Sequence, residues 1–468
     1  MFASAGGLYS DVMGERNRGV ERLIGAGTPE DPSRRRFGAS VAALALGASS
    51  IAWADEHPLV LPRGPGKKPG SFSFRVVSDA QSVGMSAERL KRIHGTLQRK
   101  IDAGEISGAV TAVARRGQLV NYEAHGYANV LTKTPMPIDG IFRMASSSKP
   151  ITGVALLMMI EEGKVRLLDP ISRYIPEFRD PKVAVPRSGE PATRQFGASP
   201  RKVDLVDAHR PITVLDLATH TSGLLSLGTD MTAPMRAPED TLASYVPRLG
   251  AVPLDFQPGT QWTYSPGAGV DTLGRIVEIA SGQDLDTFMH ERIFEPLGMT
   301  DTYFNVPAAK LSRLLPLQRK VDGQWQVAPN NPNVQPTRYF SGAGGLHSTC
   351  RDYLLFEQML ENRGELNGKR LLGSRTVELM GANQVGDLYK SPLGDQRGQG
   401  FGITVRVVTD WAISDTGRSN GAFGWAGAFG TMSWNDRAEE IAAVIMLQQF
   451  NLEVQDDFEK SIRQAIID

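Results

Sequence analysis

One cysteine, Cys350, stands in 468 residues, so the chain can close no intramolecular disulfide and can build no cysteine-rich metal site. Histidine is scarce as well. The seven present (His57, His94, His125, His209, His220, His290 and His347) show no His-x-x-x-His or His-Glu-x-x-His spacing, which argues against metal-dependent catalysis and implies no cofactor. Net charge is absent: 51 Lys+Arg balance 51 Asp+Glu, which gives no support to a nucleic acid or an anionic membrane surface as partner. Long apolar runs are missing too, and a composition 41% hydrophobic and 22% charged is that of a globular protein large enough for two lobes.

The N-terminal region is different in kind. Ser33-Arg-Arg-Arg-Phe37 leads into Gly38, a mostly apolar run from Ala39 to Ala52, and Ala52-Trp-Ala54 just before Asp55. A basic start, a short apolar core and small residues flanking a cut site are the parts of an export signal. The core is too short to stay in a bilayer as a spanning helix. Ser-Arg-Arg-x-Phe is similar to the twin-arginine signal. Residues 1–54 therefore read as an extension plus such a signal, cleaved after about Ala54, with a periplasmic or secreted product that has no stable membrane insertion. Asp55–Phe74 holds four prolines and three glycines, and residues 55–80 read as a linker, with folded structure starting near Val83.

Beyond the linker the periodicities alternate. Ser86 caps a helix whose apolar residues, Leu90, Ile93, Leu97 and Ile101, recur at helical spacing up to Gly104. Gly108–Ala114 and Leu119–Tyr127 read as a hairpin around Arg115-Arg-Gly117. Helical and loop segments fill Asp169 to about Pro332 without a second strand-rich run, and residues 186–210 read as a polar surface loop. Strands return at Gly402–Thr409, Gly427–Trp434 and Ile441–Gln448, before a last helix over about Val454–Ile467. The predicted class is α+β: one antiparallel sheet built from both ends of the chain, flanked by the N- and C-terminal helices, with a mainly helical lobe inserted. The α/β lobe would take residues 81–144 and 335–468, and the helical lobe 145–334.

At the junction of the two lobes lies Phe142-Arg-Met-Ala-Ser-Ser-Ser-Lys-Pro-Ile-Thr152. Ser146 and Lys149 are three residues apart at the mouth of a helix, a spacing that puts both side chains on one face. A serine hydroxyl needs a neighbouring base to become a nucleophile, and a desolvated lysine can be that base or set the protonation of another. A second Ser-x-x-Lys, Ser199-Pro-Arg-Lys202, has no apolar helix behind it to hold the pair in register. The first runs straight into Ile151, Val154, Ala155, Met158 and Met159. Gly417-Arg-Ser-Asn-Gly421 matches a nucleophile-elbow pattern but lacks the strand before and the helix after, and reads as a loop.

Four segments recur in order: Ser146-Ser-Ser-Lys149, His220-Thr-Ser-Gly223 in a predicted amphipathic helix Ile212–Leu224, Pro258-Gly-Thr260 ahead of Tyr264-Ser265, and Trp425-Ala-Gly427. On these the chain, from about Val83 to its C-terminus, resembles the class C β-lactamase and penicillin-binding-protein-like serine hydrolases, and most of all the family VIII carboxylesterases. The resemblance implies Ser146 as nucleophile, with Lys149 and Tyr264 sharing its proton. A free phenol has a pKa of about 10, so either a neighbouring ammonium favours a Tyr264 phenolate or a neutral Lys149 is the base and Tyr264 relays the proton. It also implies an oxyanion hole from the backbone N–H groups of Ser146 and Ala428, and Trp425, Ala426 and Gly427 along the substrate. His220 and His347 read as packing residues, and Tyr339, Phe340 and Phe423 as candidates for the pocket wall.

Two departures bear on substrate. Where the β-lactamases of the family usually carry Tyr-x-Asn and Lys-Thr-Gly, this chain has Tyr264-Ser-Pro266 and Trp425-Ala-Gly427. Losing the cation removes a partner for a substrate carboxylate, and losing the amide removes a donor to a substrate carbonyl. Both favour a neutral, short-chain ester over a β-lactam or a D-Ala-D-Ala peptide. The signal reading predicts that protein recovered from the periplasm starts at Asp55, and Edman sequencing of that material checks it; a start at Met1 rejects it.

Overall fold

The computed structural model describes residues 72–187, 201–226, 231–328, 336–389 and 397–468. The signal-like stretch 33–54, the linker as far as residue 71, and Ser199 of the second Ser-x-x-Lys pair lie outside these residues.

The chain enters a sheet at once. Strand β1 (Ser73–Val76) is followed by helix α1 (Ala87–Asp102), then the hairpin β2 (Gly108–Arg115) and β3 (Gln118–Asn129). Ser86 caps α1 by accepting the Arg89 N–H, and Leu90, Ile93, Leu97 and Ile101 form its buried face, as the spacing predicts. The hairpin turns through Arg116 and Gly117, both at positive φ. Next comes a 3-10 turn, Ala145–Ser148, running into α2 (Lys149–Glu161), whose residues 149–159 are all buried. Further along are α3 (Ala268–Ser281) and α4 (Cys350–Glu361). The C-terminal strands are β4 (Gln399–Phe401), β5 (Arg406–Val408), β6 (Phe423–Ala426), β7 (Met432–Asp436) and β8 (Ile441–Met446), before α5 (Leu452–Ala465).

A nine-stranded sheet collects them in the order β1-β3-β2-β8-β7-β6-β5-β4, with the short strand Thr134–Pro135 added to β3. Every pairing is antiparallel except the edge pair β1–β3, which is parallel. The central strands are covered on both faces, which is why they read as unbroken apolar runs. Val110, Ala112 and Ala114 of β2, with Ala442, Val444 and Met446 of β8, face the core that holds α2 and α4. Ala109 and Val113, with Ile441, Ala443 and Ile445, face α1 and α5. The sheet is thus closed at its centre by β2 from one end of the chain and β8 from the other, paired from Ile441–Arg115 to Met446–Val110.

Several expectations need correction. β1 lies inside the stretch read as linker. It is a four-residue edge strand, held by main-chain pairing and by Phe74 edge-on to Tyr122 at 4.9 Å, too short to leave a periodicity. The middle of the chain does contain strands: Lys182–Pro186 pairs with Val203–Asp207, so part of the presumed 186–210 loop is a hairpin arm, and Gln318–Val321 pairs with Gln324–Val327. The helix predicted over Ile212–Leu224 shrinks to Val214–Ala218. Thr213 and Asp216 form a capping box that starts it, but the backbone turns into the left-handed region at His220 (φ 60°) and Gly223 (φ 75°). Of Gly402–Thr409 only Arg406–Val408 is strand; residues 402–405 are the tight turn that joins it to β4, with the Gly402 N–H on Val405 O and Thr404 at φ 61°. Gly427–Trp434 likewise splits: residues 427–431 are the turn between β6 and β7. Gly417–Gly421 is a loop, as read.

Helix α5 seals the face of the sheet remote from α2, and Phe458 is its largest fully buried side chain. Phe458→Ala should lower stability by about 3–5 kcal/mol, the usual cost of emptying an aromatic site. Urea unfolding followed by tryptophan fluorescence measures it.

Candidate active site

The site begins at a strained residue. Ala145, immediately before Ser146, has φ 45°, a left-handed conformation that a non-glycine residue adopts at a cost of about 1–3 kcal/mol. The three serines that follow then diverge. Ser146 is half-buried and opens to the site, whereas Ser147 Oγ hydrogen-bonds Thr431 Oγ1 at 2.9 Å and Ser148 Oγ accepts the Leu346 N–H at 3.1 Å. Two serines anchor the turn so that the third can be presented. Lys149 is the first residue of α2 rather than part of the same helical turn as Ser146. The i, i+3 relation survives in the 3-10 geometry, and Lys149 Nζ lies 3.3 Å from Ser146 Oγ.

Tyr264 closes the triangle, its hydroxyl 2.7 Å from Ser146 Oγ. The His220-Thr-Ser-Gly223 segment holds it there. His220 O accepts the Thr263 N–H at 3.1 Å, His220 Nδ1 accepts the Ser265 N–H at 3.3 Å, and Leu224 O accepts the Ser265 hydroxyl at 2.7 Å. The His220 ring packs 4.7 Å from the Tyr264 ring. His220 is fully buried, and that burial, with the nearby Lys149, holds its imidazole neutral, well below its ordinary pKa. His347 is buried too, on a bridge to Arg143.

Lys149 has no exposed surface. Nζ donates to Pro266 O and Ala343 O, both at 2.8 Å. Burial drives its pKa down to about 7, opposed by the negative field of Asp271. Burial acts on Tyr264 in the other direction, pushing the phenol up to about 12 against the pull of the Ser146 hydroxyl and the nearby Trp425 indole. Near neutral pH the arrangement therefore suits an uncharged amine and a protonated phenol. With two amine N–H groups given to carbonyls, the remaining lone pair is available to the Ser146 proton while Tyr264 donates to Oγ.

Asp271 was not read from the sequence. It sits on α3, buried, and accepts from Tyr339 Oη at 2.8 Å, Ser341 Oγ at 2.8 Å and the Ala343 N–H at 3.0 Å. It thereby shapes the Gly-rich loop whose Ala343 O receives Lys149, and supplies the charge that moderates the lysine. A lone acid inside the apolar run Val270–Val277 was the available signal. Burial raises the Asp271 carboxyl despite these donors.

The Trp425-Ala-Gly427 strand ends beside the nucleophile. A Cβ on Gly427 would stand 2.2 Å from Met144 O, and Thr431 Oγ1 donates to that same carbonyl at 3.1 Å. So the 427–431 turn is clamped to the start of the Ser146 turn, with Ala428 on the turn rather than on the strand. Among the described backbone hydrogen bonds the amides of Ser146 and Ala428 serve no acceptor. Trp425 and Ala426 are half-buried. Trp425 stands 5.5 Å from Tyr264 and 5.3 Å from Phe401, and the buried rings of Trp262, Tyr389 and Phe401 form the cluster it packs against. Those three were missed, being isolated aromatics on separate loops. Two of the candidate wall residues are core: Tyr339 is buried against Asp271 and Phe423 under Gly381 and Arg437, while half-buried Phe340 packs on Phe304. Tyr339 and Phe423, the latter on β6, turn into the core.

Comparison with known proteins agrees in extent and fold. The family model described as Beta-lactamase matches residues 93–465. Protein Rv1367c of Mycobacterium tuberculosis is 35% identical over 373 residues, covering 75% of this chain and 88% of that one. Esterase EstB of Burkholderia gladioli is 28% identical over 398 residues, covering 77% and 91%. Among solved structures, EstCE1, a hydrolase with promiscuous acyltransferase activity, superposes with a TM-score of 0.64 at 24% identity, covering 81% of this chain and 99% of that one.

The electrostatics predict a pH profile. kcat/KM for an ester should rise with pH through about 7, as the depressed Lys149 loses its proton. Asp271→Asn removes the field that raises Lys149 and should move this acid limb to lower pH. Rate measurements from pH 5 to 9 check both, and an unmoved limb in the variant removes Asp271 from the account.

Proposed function

The chain belongs to the β-lactamase family, and within it we propose that it is a serine carboxylesterase acting on neutral, short-chain esters. The observation that carries the proposal is the triangle of Ser146, Lys149 and Tyr264, closed at 3.3 and 2.7 Å, beside an edge of Trp425, Ala426 and Gly427 that has no cation for a substrate carboxylate.

Ser146 Oγ attacks the ester carbonyl and its proton passes to neutral Lys149. Tyr264, protonated, steadies Oγ and lies on the path by which the proton reaches the departing alkoxide. The amides of Ser146 and Ala428 are the oxyanion donors: both are uncommitted, and the Gly427–Met144 contact brings their turns together. The alcohol leaves, and a water, deprotonated by Lys149, attacks the acyl-enzyme and returns the serine. Half-buried Trp425, backed by the buried rings of Trp262 and Phe401, offers the acyl or alcohol part apolar area without a counter-charge. Two findings support this reading: the sequence likeness to an esterase, and the loss of Lys-Thr-Gly and of the Tyr-x-Asn amide. Export to the periplasm remains part of the proposal, resting on residues 33–54 alone.

Turnover of p-nitrophenyl butyrate against a chromogenic cephalosporin tests it. The ester should be favoured in kcat/KM, and Ser146→Ala should lower its kcat by at least about 1000-fold with an unchanged far-UV spectrum. Faster cephalosporin hydrolysis would assign the same nucleophile to a β-lactam instead.

A further inference from the structure

Two polar side chains of the buried helix α4 reach the segments that frame Ser146. Tyr353 and Glu357 stand four residues apart and so share one face of α4, about 6 Å apart along its axis. The Tyr353 hydroxyl donates to Ser147 O at 2.6 Å, directly beside the nucleophile. Glu357 accepts from Ser433 Oγ at 2.6 Å and from Asn435 Nδ2 at 3.0 Å. Met432 and Trp434 of β7 face α1 and α5, so Ser433 and Asn435 alternate to the α4 side. There they stand opposite Trp425 and Phe423 of β6.

These contacts close a ring. Ser147 Oγ meets Thr431 Oγ1 at 2.9 Å, Thr431 lies two residues before Ser433, Ser433 reaches Glu357, and α4 returns to Tyr353 and Ser147. Every member, Asn435 included, is at most 1% exposed, so none can exchange its partner for bulk water. A carboxyl and a phenol are costly groups to bury on a stretch whose other members include Leu354, Leu355, Phe356 and Met359. What they hold is specific. One side of the ring is the turn that presents Ser146, and the other is the start of β7, which follows the 427–431 turn bearing Ala428. An oxyanion needs its two amides at a fixed spacing, and one rigid helical turn gives their supports a fixed length.

We propose that Tyr353 and Glu357 are positioning residues for acyl transfer, a role that rests on the Ser146 and Ala428 amides being the oxyanion donors of the esterase reading. One turn of α4 sets the distance between those two amides. Neither side chain is exposed, so neither touches substrate. Their effect reaches the reaction through backbone alone. It therefore acts on the tetrahedral adduct and leaves the binding of the planar ester unchanged.

Tyr353→Phe and Ser433→Ala each delete one hydroxyl of the ring, and p-nitrophenyl butyrate reads the result. Each should lower kcat and kcat/KM together by about 10-fold or more, with KM within about twofold. A trifluoromethyl ketone, whose adduct with Ser146 Oγ carries an oxyanion between the two amides, should bind each variant more weakly by the same factor. A hydrogen bond that only stabilises the fold would lower the thermal midpoint and move neither number. Wild-type kcat with wild-type ketone affinity in a folded variant therefore overturns the proposal, and so does a rise in KM at constant kcat. Each variant removes a single oxygen, and the one that stays folded carries the test if the other does not. Ser146→Ala, run alongside, separates the two readings. Turnover that survives it removes the Ser146 reading and this one with it, whereas its loss leaves the α4 variants to decide alone.

Discussion

A lysine with no exposed surface has lost the hydration that keeps an amine charged. At Lys149 the protein returns part of it, through two carbonyl oxygens at 2.8 Å and the field of buried Asp271. The remainder appears as a pKa of about 7, low enough for the amine to be a base at neutral pH. Much of the local architecture serves this balance. Pro266 follows the Tyr264 turn, and Ala343 belongs to the Gly-rich loop that Asp271 fastens, so the two carbonyls that fix Nζ come from separate segments joined through the same side chain.

The small residues around the site have the same logic. Gly342 meets Thr152, whose hydroxyl donates to Gly342 O at 2.8 Å, and a side chain at 342 would push the loop off α2. Gly427 meets Met144 O, and a side chain there would push the 427–431 turn off the nucleophile. Ser147 and Ser148 are spent on holding those two partners in place. In the proposed mechanism the motif Ser-Ser-Ser-Lys is one reactive group, two clamps and a base, and each clamp positions backbone beside Ser146. Burial acts in opposite directions on the two, lowering the lysine and raising the tyrosine, which supports the proposed division of roles between them.

Legibility followed locality. The hairpin around Arg116-Gly117, the cap and face of α1, and the buried pattern behind Lys149 were readable because each is set by neighbours a few residues away. Short elements were not. Val214–Ala218 ends where His220 takes a left-handed φ, and that conformation is held by contacts to residues 263–265 that no local pattern reveals. β1 and the hairpin Lys182–Pro186/Val203–Asp207 owe their pairing to partners distant in sequence or to a few main-chain bonds. Phe423 and Tyr339 were placed in the pocket because an aromatic beside a motif is ambiguous until its backbone direction is known.

By itself the sequence determined which chemical groups are present and the contacts of short range: Ser146 within reach of Lys149, the helix behind them, and an edge with tryptophan where a cation would hold a carboxylate. Tertiary structure decided the rest. Tyr264 reaches Ser146 across a separation of 118 residues, and Asp271 sets the loop at Ala343 from 72 away. The reason is physical: reactivity here depends on desolvation and on fields from unlike partners, and both are properties of what surrounds a side chain in space. Lys149 is an ordinary amine in the chain and an unusual one only in the fold.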